Sequence, residues 1–296
     1  MTEREDAQPV AVLGLGALGS VVAGALLKAG HPTTVWNRSP GRAADLVGHG
    51  AIPAATLAEA ATASPVVVLA VADADAVRAV LEPVADALAG RVVVNLTSGR
   101  PEQARDLAAW TARRGGTYLD GAAMSGTRAV GRPEALFLYS GSRETFDSAG
   151  PALRSLGRAR YLGADPGTAS LHDTALLGVN LGLLTGFYHA VALLGGAGVP
   201  APDVAEVVTD YLPFAQGLLA EHARQAELRT APPDEGTLEV LAAAVDHLVA
   251  TSAGLGIGTD VPDGIRALLE RGLRAGHGRD GLPSLVGVIA GTEVTR

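Results

Sequence analysis

Residues Gly14-Leu15-Gly16-Ala17-Leu18-Gly19 carry the spacing G-x-G-x-x-G, and its position narrows the folds open to this chain. The apolar run Val10 to Leu13 ends at the first glycine, and Ala17 to Lys28 continues with helical spacing. In such a strand–loop–helix unit the first glycine permits a tight turn, and the second lets backbone approach a pyrophosphate. The third brings helix close to strand, and the helix N-terminus turns free N–H groups and its positive dipole end toward phosphate. Gly14 through Gly19 are therefore the expected dinucleotide cradle. The competing reading is a glycine-rich turn with no ligand.

The segments that follow alternate. Thr33 to Trp36 reads as a strand and Gly41 to Val47 as a helix. Val66 to Val71 and Arg91 to Leu96, the latter around Val92-Val-Val94, read as apolar strands of the kind buried on both faces of a parallel sheet. Tyr118 to Ala122 and Ala135 to Ser140 read as two more strands. This alternation predicts an α/β fold: an N-terminal Rossmann domain built on a doubly wound parallel sheet. Beyond Gly167 only helices are expected: Thr168 to Leu194, Val204 to Glu227, Thr237 to Gly254 and Pro262 to Ala275. At roughly 100–200 residues per domain, 296 residues suggest two: a nucleotide-binding domain over 1–165, and an interdomain helix with an all-α domain over 166–296.

Composition excludes several functions. A net charge of −8 argues against nucleic acid or anionic membrane as partner. With no cysteine there is no thiolate catalysis, disulfide framework or Cys-ligated zinc, and no metal is expected. Lys28 is the only lysine, so any mechanism needing a catalytic lysine must use it. Thr174 to Gly195 is apolar enough to raise a membrane helix, but Asn180, His189 and the lack of a flanking basic cluster favour a buried helix of a soluble protein. The charged start, Met-Thr-Glu-Arg-Glu-Asp, has no apolar core of a signal peptide, and a cytoplasmic enzyme is expected.

The end of the second strand indicates the dinucleotide. An NAD site usually has an acid there for the ribose hydroxyls. Val35-Trp36-Asn37-Arg38-Ser39 has none: Asn37 takes that place, Arg38 can pair with a 2′-phosphate, and Ser39 can hydrogen-bond to it. NADPH is the expected cofactor; the alternative for Arg38 is a solvated loop charge. Val71, ending its apolar run, is counted with the cofactor residues. Asn95 and Thr97 follow a strand at the sheet edge where ligands bind, and are candidates for the nicotinamide ribose or the substrate; ordinary turn chemistry is the alternative. Asp173, near the start of the long apolar helix, is either a functional acid beside the nicotinamide or a first-turn residue favoured by the helix dipole.

Taken together, several segments resemble NADPH-dependent imine reductases, within the wider β-hydroxyacid dehydrogenase superfamily. They are the glycine loop, Trp36-Asn-Arg-Ser39, Asn95-Leu-Thr-Ser-Gly99, Gly121, Pro133-Glu-Ala135 through Gly141, Leu171-His-Asp-Thr-Ala-Leu176, Gly256-Ile257 through Pro262, and Gly276-His-Gly278. The resemblance covers essentially the whole chain. It implies that Asp173 stands where hydroxyacid-oxidising relatives have a lysine. It also implies a homodimer with intertwined long helices, its active site shared between one subunit's nucleotide domain and the other's helical domain. Met124-Ser125-Gly126 is similar to the Ser-Gly that holds a substrate carboxylate in hydroxyacid dehydrogenases, a departure from many imine reductases. Tyr211 and His247 fall on helices that line the substrate pocket in that family. For His247 a satisfied, partly buried histidine is the favoured reading, and for Tyr211 core or interface packing competes with pocket lining.

The expected reaction is hydride transfer from NADPH to the carbon of a C=N bond, with Asp173 protonating the nitrogen or stabilising the iminium. Two alternatives stand beside it. One is an NADP-dependent 3-hydroxyacid or carbonyl oxidoreductase with an unusual aspartate. The other is a non-catalytic NADPH-binding protein.

Overall fold

The structure, a computed structural model, describes residues 7–292. The reading of the N-terminus as neither signal nor anchor rests largely on residues 1–6, which lie outside the described residues.

Strand β1 (Val10–Leu13), helix α1 (Ala17–Lys28) and strand β2 (Thr33–Trp36) have the bounds read from the sequence. The helix expected over 41–47 is instead a 3-10 turn, Pro40–Ala43, leading into the short α2 (Ala44–Gly48), where only Leu46 is buried. Then follow β3 (Ile52–Pro53), α3 (Leu57–Thr62), β4 (Val66–Leu69), α4 (Ala74–Leu81), β5 (Val92–Asn95), α5 (Pro101–Ala112) and β6 (Thr117–Ala123). Strand β7 (Leu136–Gly141), helix α6 (Arg143–Leu156) and strand β8 (Arg158–Tyr161) complete the sheet. Thr56, Asp73 and Ser142 start α3, α4 and α6, each accepting a bond from a backbone N–H of the first turn. Such caps contribute about 1 kcal/mol each.

Among the described residues one sheet has the order β3-β2-β1-β4-β5-β6-β7-β8. Its central strands are buried on both faces, which is why they read as apolar runs. Val10, Val12, Val66, Val68 and Val94 point to the α1 and α6 side, where Val22, Leu26 and Leu153 meet them. Ala11, Leu13, Val67, Leu69 and Val93 point to the other face, against Val77, Leu81 and Leu107. The expectation of a parallel sheet needs one correction: β7 runs antiparallel to β6, and β8 pairs parallel with β7. The physical reason lies in residues 124–135, which hold only the 3-10 turn Thr127–Ala129. A parallel return requires a longer crossover, usually a helix, and α6 supplies that only between β7 and β8.

Packing divides the chain into two units, one ending at Gly178 and the other starting at Val179. Helix α7 (Gly167–Gly196) begins in the first and ends in the second. The second continues with α8 (Ala201–Glu227), α9 (Leu238–Gly254), α10 (Asp260–Arg274) and α11 (Leu285–Ala290). Within it, His189 Nε2 meets the buried Ser252 Oγ at 3.1 Å, which gives a polar group on α7 its partner. The expected burial of α7 does not hold in the single chain. Leu177, Val179, Leu181, Leu183 and Tyr188 are all about half exposed or more. By length and composition α7 could also cross a membrane. Its apolar residues surround the helix, so no single neighbouring element can cover them.

Candidate active site

The glycine loop borders a cavity of about 590 Å³. Gly14 has φ +97°, and a side chain there would strike the Ala70 carbonyl. Gly19 lies against the Gly14 carbonyl, with no room for a Cβ. Gly16 is different: a Cβ there would meet nothing within 4 Å, so its bareness serves the cavity rather than the protein's own packing. No side chain caps the N-terminus of α1. An open glycine beside an uncapped helix start fits a pyrophosphate.

Gly14, Gly16, Ala17, Leu18, Asn37, Arg38, Ser39 and Val71 all line this cavity. Leu15 and Gly19 are buried behind it. Asn37 spans the loop and the strand end: its Oδ1 accepts from Leu15 N–H at 2.9 Å, and its Nδ2 donates to the Ser39 carbonyl. That orients the turn carrying Arg38. Sequence reasoning missed Arg42, which lines the same cavity and donates to the Leu15 carbonyl at 3.3 Å. Its signal was present as a second arginine shortly after Arg38. Among the described residues lining the cavity there is no Asp or Glu, so nothing there repels an added phosphate.

Asn95 and Thr97 are buried beside the cavity and spend their polar atoms on protein. Thr97 Oγ1 accepts from Val71 N–H at 3.1 Å, and Asn95 Oδ1 accepts from Thr97 N–H. Asn95 Nδ2 donates to Tyr118 Oη at 3.0 Å, and Tyr118 donates in turn to Asp120 Oδ1 at 3.0 Å. Asp120 Oδ2 receives the Ser170 hydroxyl at 2.5 Å and the Ser170 N–H at 3.1 Å. A continuous chain of hydrogen bonds thus runs from Val71 to the first turn of α7. Tyr118, Asp120 and Ser170 were not singled out from sequence. The available signal was an acid inside the otherwise apolar segment Leu119-Asp-Gly-Ala-Ala123.

Every N–H of the first turn of α7 has a partner within this unit. Gly167 donates to Asp165 Oδ1, Thr168 to the Asp165 carbonyl, Ala169 to Ser140 Oγ and Ser170 to Asp120. Asp173, half-buried, follows Ser170 on the same side of the helix. The Asp120 carboxyl is raised to about 6: burial pushes it up most, bonds from Ser170 and Tyr118 pull it down, and the charge of Asp173 adds to the rise. The two acids are therefore near enough to feel each other.

Met124 and Ser125 are half-buried at the end of β6, where Ser125 Oγ accepts from Leu136 N–H at 3.0 Å. In the second unit Tyr211 is 59% exposed, its ring against Phe214, which removes the core-packing reading. His247 is exposed, not partly buried as expected, because it faces outward from α9 in the single chain.

Comparison with known proteins gives a consistent picture. The model of the NAD binding domain of 6-phosphogluconate dehydrogenase matches residues 9–163. That of the NADPH-dependent reductive aminase-like C-terminal domain matches 165–291. The chain is 34% identical to the NADPH-dependent reductive aminase of Aspergillus oryzae, over 94% of this chain and 95% of that one. The reductive aminase of Aspergillus terreus, in complex with NADPH and ethyl levulinate, superposes with TM-score 0.91 at 38% identity, covering 96% of this chain and 99% of that. An imine reductase of Streptomyces aurantiacus gives TM-score 0.91 at 35% identity, covering 95% and 99%. Similarity of both sequence and fold, each nearly end to end, leaves one assignment: the chain belongs to the family of NADPH-dependent reductive aminases and imine reductases.

Proposed function

We propose that the protein is an NADPH-dependent imine reductase that converts the C=N bond of an imine or iminium to an amine. The observation that carries this reading is the acid on α7. By the family resemblance Asp173 takes the place of the lysine of hydroxyacid-oxidising relatives, and the chain's one lysine, Lys28, closes α1. NADPH supplies the hydride when bound. Gly14 to Leu18 and the start of α1 hold the pyrophosphate, while Arg38, Ser39 and Arg42 take the 2′-phosphate. Asn37 would fix the loop, and Val71, backed by the buried Asn95 and Thr97, would border the nicotinamide end of the cofactor. Asp173 serves the substrate nitrogen, by proton or by charge, which makes the attached carbon a better hydride acceptor. Ser125 accepts from Leu136 and keeps its O–H for a polar substituent of the substrate. Met124 lies beside it.

The reading includes a cytoplasmic, domain-swapped homodimer. The half-exposed leucines and valines around α7 support a partner chain wrapped on that helix. Tyr211 and His247, exposed in the single chain, are pocket candidates in that dimer. The reading keeps domain limits of 1–165 and 166–296, with the interdomain helix assigned to the second; family matches over residues 9–163 and 165–291 support it.

The test is NADPH consumption with a cyclic imine, compared with the matched ketone and with NADP plus 3-hydroxyisobutyrate. Imine-dependent turnover is expected, falling about 100-fold in Asp173→Ala with NADPH affinity held. Activity confined to the hydroxy acid would transfer the protein to the alternative oxidoreductase reading. Tight NADPH binding with no turnover of any of these compounds would favour a non-catalytic role.

A further inference from the structure

We propose that Asp120 is a positioning residue for this reaction: as a carboxylate beneath the first turn of α7 it fixes the placement of Asp173 and ties it to the cofactor wall. The proposal rests on the reading of Asp173 as the acid serving the substrate nitrogen. Its basis is the count of hydrogens around Asp120. Three donors converge on this carboxylate: the Ser170 hydroxyl, the Ser170 N–H and the Tyr118 hydroxyl. An ionised carboxylate is acceptor-only and satisfies all three. Tyr118 Oη already receives Asn95 Nδ2, so its own hydrogen has Asp120 as its acceptor. Asn95 is committed in turn, because its Oδ1 holds Thr97 N–H.

A proton on Asp120 breaks this order. The carboxyl then has a hydrogen to place, and either Ser170 or Tyr118 must turn its own hydrogen away inside a dry site. Asp120 is 1% exposed, and Tyr118, Asn95 and Ser170 are all buried, so no bulk water stands in. Unpaired polar hydrogens are costly in such surroundings. Relief requires movement of the first turn of α7, one helical step from Asp173.

Among the described residues no cation pairs with the Asp120 carboxylate. Strand β7 faces it with Ser140, which is occupied by Ala169 N–H and the Pro166 carbonyl. From α7 come Ser170 and the Asp173 carboxylate, while His172 bonds back to the Thr168 carbonyl. Arg105 of α5, beside Gly167, is committed to Asp165 in a two-pronged pair at 2.7 and 2.9 Å. Burial and the Asp173 charge hold the Asp120 carboxyl at about 6, within reach of a working pH range.

The experiment uses the full-length protein and two readouts. In steady-state turnover, Asp120→Asn should lower kcat about tenfold or more while leaving the dissociation constant for NADPH within about twofold. The wild-type fall in kcat on the acid side, centred near pH 6, should vanish in that variant. Ser170→Ala, which removes one donor with little change of shape, should move that limb to higher pH. The second readout needs no activity: carboxyl-carbon resonances should show Asp120 titrating near 6, and moving lower in Asp173→Asn. An Asp120→Asn enzyme with full kcat and an unchanged acid limb overturns the proposal. So does an Asp120 that titrates in the ordinary aspartate range and ignores Asp173. Failure of the wild type to reduce any imine defeats the proposed activity instead, and the titration still decides the coupling of the two acids.

Discussion

Strand β1 and helix α7 are both built from small aliphatic residues, yet their fates in one chain are opposite. Val10, Ala11, Val12 and Leu13 are fully buried, whereas Val179 on α7 is 67% exposed and Leu177 53%. A strand in a parallel sheet has two faces, and the helices that its own crossovers supply cover both. A helix of 30 residues with apolar side chains all round needs cover from every direction. The sheet is thus covered by helices of its own chain, while α7 is apolar beyond what its own chain covers.

Charging α7 should have the largest effect. Val179 and Leu183 lie four residues apart on one face and are both exposed in the single chain. Val179→Glu with Leu183→Glu is expected to yield monomers by sedimentation, since burying such unpaired charges costs roughly several kcal/mol. Turnover should be lost, because the proposed active site draws on two chains, while NADPH still binds the glycine-loop cavity. A fully active dimer of this variant would place the interface elsewhere.

A smaller effect is expected at the glycine-loop cavity. Arg38→Ala and Arg42→Ala should each raise KM for NADPH about tenfold, as a charge-assisted bond to phosphate contributes roughly 1.5–3 kcal/mol. KM for NADH should stay nearly level. Equal losses with both cofactors would mean that the arginines shape the loop rather than read the 2′-phosphate.

The same comparison explains what the sequence revealed. The glycine loop was legible because its constraints are local: a turn at Gly14, close packing at Gly19 and bare backbone at Gly16 involve few neighbours. The bounds of β1, α1 and β2 followed from it. The direction of β7 was hidden, because it depends on what residues 124–135 fail to form. Asp120 was hidden for another reason: its partner Ser170 lies 50 positions away, and no local pattern links a strand acid to a helix start. Arg42 was passed over because a surface arginine has no distinctive spacing until the cavity is seen. The exposure of α7 was the opposite of the burial expected, since apolar composition shows that a surface must be covered and not by which chain.

The smallest expected effect comes from the other acid at the start of α7. Asp165 and Asp120 both accept N–H groups of the same first turn, but Asp165 is exposed and paired with Arg105. Its carboxyl is held at about 2, first by the Arg105 hydrogen bond and then by Gly167 N–H. A depressed folded value means that the stabilisation is complete above the unfolded aspartate value of about 4. It is lost as pH falls through about 2. Asp165→Asn should therefore lower the melting temperature slightly at pH 5, with the gap to wild type closing toward pH 2. Added salt should close it too, because both side chains are about half exposed and the pair is screened. Turnover should barely change, in contrast to Asp120→Asn. If Asp165→Asn instead matched the kinetic loss of Asp120→Asn, any weakening of the helix start would be enough to misplace Asp173, and the buried carboxylate would have no special part in it.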